Sequence, residues 1–388
     1  MDSKLGAYNI HDLRDMARRN LPRGVFEFVD RGTEDDNAVA NNRAALERIR
    51  FRPRTLVDVS KRDLSITLFG KKQPMPFCVG PTGTAGLLWY GGELGVARAA
   101  AKAGIPFTVA VNSMTSMETI AEQAGGTLWF QLYLWSDRNY SYQIVERAKK
   151  VGFEALILTV DGAVPSNREY NHRNGFEVPI QFNTRNVTDV LSRPRWLASV
   201  FLRQLVMSGM PRFENYPPEV MDGLMSRTLK KTILKNDSMN WDDLRKLREL
   251  WPRTLMVKGV LSPQDAVKAA ECGADAVIVS NHGGRNLDYS VAPIDALPGV
   301  VEAAGKRLTV IMDSGLRRGS DVVKALALGA RAAFIGRAPL YGVAAHGEAG
   351  AARAIEIFRE EISRVMALLG VNSVAELDRR CLQLPEKQ

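Results

Sequence analysis

From Met75 onward the chain repeats one pattern: a short apolar run, a polar or glycine-rich corner, then a stretch with apolar residues at helical spacing. The runs are Pro76–Gly80, Phe107–Val111, Leu128–Tyr133, Ala155–Val160, Leu255–Val257, Ala276–Val279, Thr309–Met312 and Ala332–Ile335. Short apolar runs rich in β-branched residues read as strands buried on both faces. Helices are predicted over Glu93–Ala103, Met117–Ala124, Tyr140–Val151, Trp241–Leu250, Pro263–Cys272, Pro293–Ala304, Ser320–Leu328 and Glu348–Leu369. Alternation of the two implies parallel pairing, because each crossover helix must cover a face of the sheet. Eight such units predict an α/β fold of the closed (β/α)8 type, a TIM barrel. A doubly wound open sheet is the alternative, disfavoured by the strand count and by the lack of an early G-x-G-x-x-G. Ahead of the barrel, Asn9–Arg19 and a short stretch opened by Pro22 and containing Phe26 and Phe28 read as N-terminal helices.

The rhythm breaks once. Residues 177–239, after the fourth run, carry no strand signal, so residues 1–388 read as one barrel domain with a long insertion. Between Arg185 and Lys235 there are nine Lys/Arg against four Asp/Glu, and Trp196–Met207 is an apolar helix interrupted by Arg203. An apolar helix rimmed by arginines suits an interfacial membrane segment. It equally suits a lid or subunit-contact helix packed on the barrel. Met207, Met210, Met221 and Met225 fit adaptable packing or a lipid-facing surface.

In a barrel the active site lies at the C-terminal ends of the strands, so the polar residues just past each run should converge. They are Pro81-Thr82-Gly83, Gln131 and Tyr133, Thr159 and Asp161, Lys258, Ser280-Asn281-His282, Asp313-Ser314-Gly315 and Gly336-Arg337. The stretch V-I-V-S-N-H-G-G-R-N-L-D at 277–288 is the richest of them. Its two glycines permit a sharp turn and close approach to a bound molecule, and His282 beside Arg285 offers a base next to an anion clamp. Late in the chain, Asp313–Asp321 leads into a helix and Gly336-Arg337 follows the last strand. Glycine N–H groups at a helix start, backed by arginine, form a phosphate cradle where barrels commonly hold one.

The formal charge of +9 and pI of about 9.5 permit attraction to anions. No Lys/Arg block with interleaved aromatics is present, so nucleic-acid binding is not expected. Three scattered cysteines, Cys78, Cys272 and Cys381, form neither a disulfide framework nor a zinc site and fit a reducing compartment. The polar N-terminus has no signal-peptide core, and no apolar run is long enough to span a bilayer, so a cytoplasmic location is expected. His11 reads as solvent-side or capping, His172 as surface, and His346 as packed; no metal site is expected.

These motifs, in order and over about Tyr8 to Leu382, resemble the FMN-dependent L-2-hydroxy-acid oxidases and dehydrogenases. The resemblance rests on the Ser280–Arg285 loop, the Lys258 strand, Asp313–Gly319, Gly336-Arg337, Leu128–Tyr133 and Thr159-Val-Asp161 with Arg168. With its basic insertion the chain is most similar to bacterial membrane-associated mandelate and lactate dehydrogenases. The resemblance implies FMN held by Pro81, Thr82, Gly83, Gln131, Thr159, Lys258, Ser280 and Asp313, with its phosphate at Gly315, Arg317, Gly336 and Arg337. Lys258 would lie at the flavin N1/O2 edge, unless it is only half of a structural ion pair. Arg168 and Arg285 would grip the substrate carboxylate, Tyr133 would bond the substrate oxygen, and His282 would take the proton with support from Asp161.

Two positions depart from the family pattern. Phe28 stands where a carboxylate-binding tyrosine is usual, and Ala110 stands where a flavin-contacting serine is usual. Each loses a hydrogen-bonding group, which favours a bulky apolar substrate or an unusual α-substituted acid or amine. Gly83, where oxidases of the family often carry alanine, leans toward a dehydrogenase passing electrons to a quinone or other carrier rather than to oxygen. A homotetramer, peripheral at the inner face of the cytoplasmic membrane, is the implied assembly. A non-catalytic docking protein on the same scaffold is the remaining alternative, opposed by the presence of His282, Asp161, Arg168 and Arg285 together.

Overall fold

The computed structural model describes residues 5–176, 183–217, 219 and 237–385. Eight parallel strands close into a barrel in chain order: β1 (Phe77–Val79), β2 (Phe107–Ala110), β3 (Leu128–Leu132), β4 (Ala155–Thr159), β5 (Thr254–Val260), β6 (Ala276–Val279), β7 (Thr309–Met312) and β8 (Ala332–Ile335). The last pairs with the first, Ala333 opposite Phe77 and Ile335 opposite Val79. Strand side chains alternate between the lumen and the helix layer. The lumen-facing set, Cys78, Trp129, Ala155, Ile157, Met256, Ala276, Ile278, Ile311, Ala332 and Phe334, accordingly forms an apolar cluster of its own. A two-stranded ribbon, Ile66–Leu68 with Lys71–Gln73, closes the N-terminal end of the lumen, where Phe69 meets Trp129 edge-on. With that end filled, the opposite mouth is left for chemistry.

Three helices precede the barrel: α1 (Ile10–Asn20), α2 (Arg23–Asp30) and α3 (Asn37–Arg48). Asn9 and Asp12 form a capping box that starts α1, and Pro22 opens α2. Helix α3 has no counterpart in the sequence reading, because its buried face carries the polar Asn42 between Ala38 and Ala45. At the other end of the chain the helix starts at Arg337, well before the expected Glu348, and is broken at His346 and Gly347. His346 sits exposed at this break, so the expectation that it is packed is corrected. His172 is exposed as expected, and the described residues contain no cluster of metal-ligating side chains.

The insertion forms helices over Thr184–Leu191 and Pro194–Ser208, the second wound as a π-helix through Leu197–Leu202. Its inner face buries Trp196 and Val200, and the Trp196 indole donates to the Leu87 carbonyl (2.8 Å). Val206, Met207 and Met210 are exposed at 82%, 65% and 49%, so internal packing does not account for those two methionines. Met221, Met225 and the basic stretch from 220 to 236 lie outside the described residues.

Candidate active site

Alternation along each strand brings the polar tips to one mouth, where hydrogen bonds join neighbouring strands. Gln131 donates to Thr159 (3.0 Å) between the ends of β3 and β4, both side chains buried. Lys258 on β5 donates to Ser280 Oγ (2.9 Å) and pairs with Asp313 (3.1 Å) beyond β7. Burial opposes the charge on Lys258, yet Asp313 and Asp161 outweigh it and raise its pKa, so the lysine is a cation at any physiological pH. Lys258 is therefore held in an ion pair at the mouth, with its ammonium beside Ser280.

His282 lies against Asp161, Nδ1 to Oδ1 2.8 Å, and its Nε2 is 3.3 Å from the Tyr133 hydroxyl. A carboxylate at Nδ1 fixes the proton there and leaves the Nε2 lone pair free to accept. Burial is the main reason that the His282 pKa is lowered, with Asp161 opposing and Lys258 assisting. Asp161 loses solvation on burial, but His282 and Lys258 hold it below its ordinary value. Its second oxygen, Oδ2, is buried without a hydrogen-bond partner. The neutral imidazole beside an ionised carboxylate is a proton acceptor that gains support once it becomes charged.

Close packing at this point comes from a bulge in β5 between Lys258 and Val260. Gly259 has φ +103° there, and a Cβ would lie 2.6 Å from the Asp161 side chain. The sequence reading passed over Gly259, and also over Asn286, which donates to the Asp161 carbonyl (2.8 Å) and carboxylate (3.3 Å). Asn286 lies within the histidine stretch, and its position four residues beyond the base was the available signal.

Arg168 and Arg285 meet at the same mouth. Arg168 Nε donates to the Arg285 carbonyl (3.4 Å), and its Nη2 reaches Asn286 (3.5 Å). Arg285 Nη1 donates to the carbonyls of Phe28 (2.7 Å) and Arg31 (2.9 Å) at the end of α2, with its guanidinium over the Phe28 ring at 5.3 Å. Burial first, then the charge of Arg168, brings the Arg285 pKa down to about 10; burial also lowers that of Arg168. Two half-buried cations that repel one another form a site for a bound anion. Phe28 meets Phe176 at 6.1 Å, so the position expected to lack a hydroxyl is an aromatic wall beside the arginines.

The glycine-rich corners also meet. A Cβ on Gly336 would find only Thr82 within contact, at 3.6 Å, and Gly83 packs against Asn112. The Gly336-Arg337 backbone opens the final helix, with Gly315 (φ +80°) on the neighbouring loop. The Arg337 side chain donates to the carbonyls of Val29, Gly283 and Arg31 at 2.8, 2.8 and 2.9 Å. The Arg317 guanidinium bonds the Leu316 carbonyl (2.9 Å) and lies 5.8 Å from the Tyr341 ring. An amide–hydroxyl pair and a lysine along one wall, with a helix start and glycine loops at its end, is a donor set that fits a flavin mononucleotide.

The model of the FMN-dependent dehydrogenase family matches residues 17–384. The chain belongs to that family. It is 42% identical to the (S)-mandelate dehydrogenase of Pseudomonas putida over 97% of this chain and 94% of that one. It is 38% identical to an L-lactate dehydrogenase of Caulobacter vibrioides over 96% of each. A crystal structure described as monotopic membrane protein (S)-mandelate dehydrogenase superimposes with a TM-score of 0.92 at 41% identity, covering 98% of this chain and 100% of that one. This FMN-dependent dehydrogenase is therefore an oxidoreductase with FMN as its cofactor.

Proposed function

We propose that this FMN-dependent dehydrogenase oxidises an L-2-hydroxy acid with an aromatic side chain to the 2-oxo acid. The relatives are named for mandelate and lactate, and the reading is carried by the half-buried pair Arg168 and Arg285, with the Arg285 guanidinium over Phe28 of the Phe28–Phe176 wall. The arginines bind the carboxylate and fix the α-carbon; the relief of their mutual repulsion makes that binding favourable. His282 Nε2 accepts the substrate proton, and Asp161 stabilises the imidazolium that forms. Tyr133 bonds the substrate oxygen. Bound FMN, held by Pro81, Thr82, Gly83, Gln131, Thr159, Lys258, Ser280, Gly315, Arg317, Gly336 and the Arg337 backbone, supplies the two-electron acceptor. Phe28 and Phe176 enclose the apolar side chain, a role to which a hydroxyl at position 28 would add little.

The electron acceptor is proposed to be a membrane quinone. The exposed apolar face of Leu202, Val206, Met207 and Met210, with Arg195 and Arg203 exposed beside it, suits the surface of an anionic bilayer. No helix among the described residues is long and apolar enough to cross a membrane, so the contact proposed is peripheral. A homotetramer is the proposed assembly, measurable by light scattering. The test of the reaction is anaerobic titration of the yellow protein with (S)-mandelate, L-lactate and glycolate. (S)-Mandelate should bleach the flavin fastest, and bleaching by none of them would remove the proposal.

A further inference from the structure

His282 is held in a conformation that its own chemistry does not favour. Its φ is +58°, followed by +67° at Gly283 and +74° at Gly284, three successive residues in the left-handed region. Side chains hold each N–H of the turn: Ser280 Oγ accepts from His282 N (3.0 Å), Ser314 Oγ, from the next loop, accepts from Gly283 N (2.9 Å), and Asn281 Oδ1 accepts from Gly284 N (3.1 Å), which also bonds the Asn281 carbonyl (3.0 Å). The Asn281 amide is in turn paired both ways with Asn42 of α3. Asn42 Nδ2 donates to Asn281 Oδ1 (2.9 Å) and Asn281 Nδ2 donates to Asn42 Oδ1 (2.7 Å), with both residues buried. Helix α3 is itself moored to the two loops it joins. Asp288 accepts from Ala38 N (2.6 Å) at its first turn, and Arg43 reaches the Gly315 carbonyl (2.7 Å). The Gly284 Cα lies so close to that first turn that a Cβ would be 2.7 Å from Val39 N.

We propose that Asn42 is a positioning residue for the base: its reciprocal amide pair with Asn281 shapes the left-handed turn that aims His282 at Asp161 and Tyr133. Its effect on the base runs through Asn281; because Asn42 also borders Gly315, the bound flavin spectrum of each variant is recorded to show that FMN is retained. The inference rests on the reading of His282 as the base. The two fail differently, since an active His282→Ala would overturn that reading, whereas an inactive His282→Ala with a fully active Asn42→Leu would overturn this one.

The experiment uses FMN-loaded enzyme and anaerobic stopped-flow reduction by (S)-mandelate, comparing Asn42→Leu, Asn281→Leu and the double variant. As a control for general loosening, Asn20→Ala removes a side chain that ties α1 to the final helix through the Ala344 and Ala345 carbonyls (3.1 Å each). Asn42→Leu should slow reduction at saturating substrate by about ten-fold or more, with the half-saturating concentration within roughly three-fold of wild type. It should also displace the acid limb of the pH profile. Asn20→Ala should lower the melting temperature without either change. The double variant should be no slower than Asn281→Leu alone, the signature of two groups acting as one. Unchanged rate and acid limb in Asn42→Leu, or losses that multiply in the double variant, would overturn the proposal. If Asn42→Leu yields no folded protein, Asn42→Ala is judged by the same rate and the same acid limb.

Discussion

A histidine that must accept a proton works only while neutral, and the structure biases His282 that way. Burial lowers its pKa below the ordinary 6.5, and Asp161 offsets part of that fall. Protonation removes the acceptor, so kcat/KM for flavin reduction should be flat at neutral pH and decline only as the pH drops through a value below 6.5. A profile whose acid limb lay well above that value would contradict the assignment. Replacing His282 with Ala should retain FMN, as judged by the bound flavin spectrum, and lower the reduction rate by about 10²- to 10⁴-fold, the usual contribution of a general base. Phe28 tests the other side of the substrate. Its ring lies against Arg285, so Phe28→Tyr adds a donor beside the carboxylate site, and one hydrogen bond is worth about 1 kcal/mol. The KM for L-lactate should then fall by about five-fold, while (S)-mandelate gains less because the aromatic wall already holds it.

At the level of elements, β5 shows how a strand irregularity serves the site. Its bulge places Lys258 toward Ser280 and Asp313 and lets the backbone of Gly259 pass against Asp161. Gly259→Ala would put a Cβ 2.6 Å from that carboxylate at a φ of +103°. It should cost about 1–3 kcal/mol of stability through strain and overpacking, seen as a lower unfolding midpoint, and slow reduction by moving Asp161 away from His282. The eight strands and their polar tips could be read in advance because burial on both faces imposes an unbroken apolar run, and the run must end where the polar mouth begins. The bulge could not, since it lies past the Leu255–Val257 run, at Lys258–Val260, where a lysine and a glycine read as the end of the strand. Helix α3 was hidden for a related reason: Asn42 interrupts its apolar face, yet that asparagine is matched by Asn281, 239 residues away, a partner no local window contains. The carbonyls at the end of α2 that bond the Arg337 side chain were likewise out of reach of any local window, since they come from the opposite end of the sequence.

For the molecule as a whole, the insertion joins two surfaces with different solvents. The inner face of the Pro194–Ser208 helical run is fixed by the Trp196–Leu87 hydrogen bond to the segment after β1, which carries Thr82 and Gly83. Further on, Tyr216 donates to Asn112 (2.8 Å) and Asn215 to the Ala110 carbonyl (3.3 Å), so the same insertion also grips the end of β2. On the outer face Val206 and Met207 are mostly exposed, beside Arg203, stacked over Tyr90 at 4.7 Å, and Ser208, whose hydroxyl is 3.1 Å from that of Tyr90. Burying two such side chains in the interface contributes about 1.5–3 kcal/mol each, and each arginine near an anionic surface about 1 kcal/mol. The apolar part is insensitive to salt, whereas the arginine part is screened. Binding to phosphatidylglycerol vesicles should therefore weaken as salt rises but persist at high salt, a distinction a flotation assay reads directly. The double substitution Val206→Glu with Met207→Glu removes the persistent part and adds repulsion, so vesicle binding should be lost at every salt concentration. Because neither residue touches the mouth of the barrel, reduction by (S)-mandelate should be unchanged, while reoxidation by a quinone embedded in the vesicle should slow in proportion to the lost binding. Undiminished flotation of the double variant would assign that face to something other than lipid, and undiminished quinone turnover would separate electron transfer from the membrane surface.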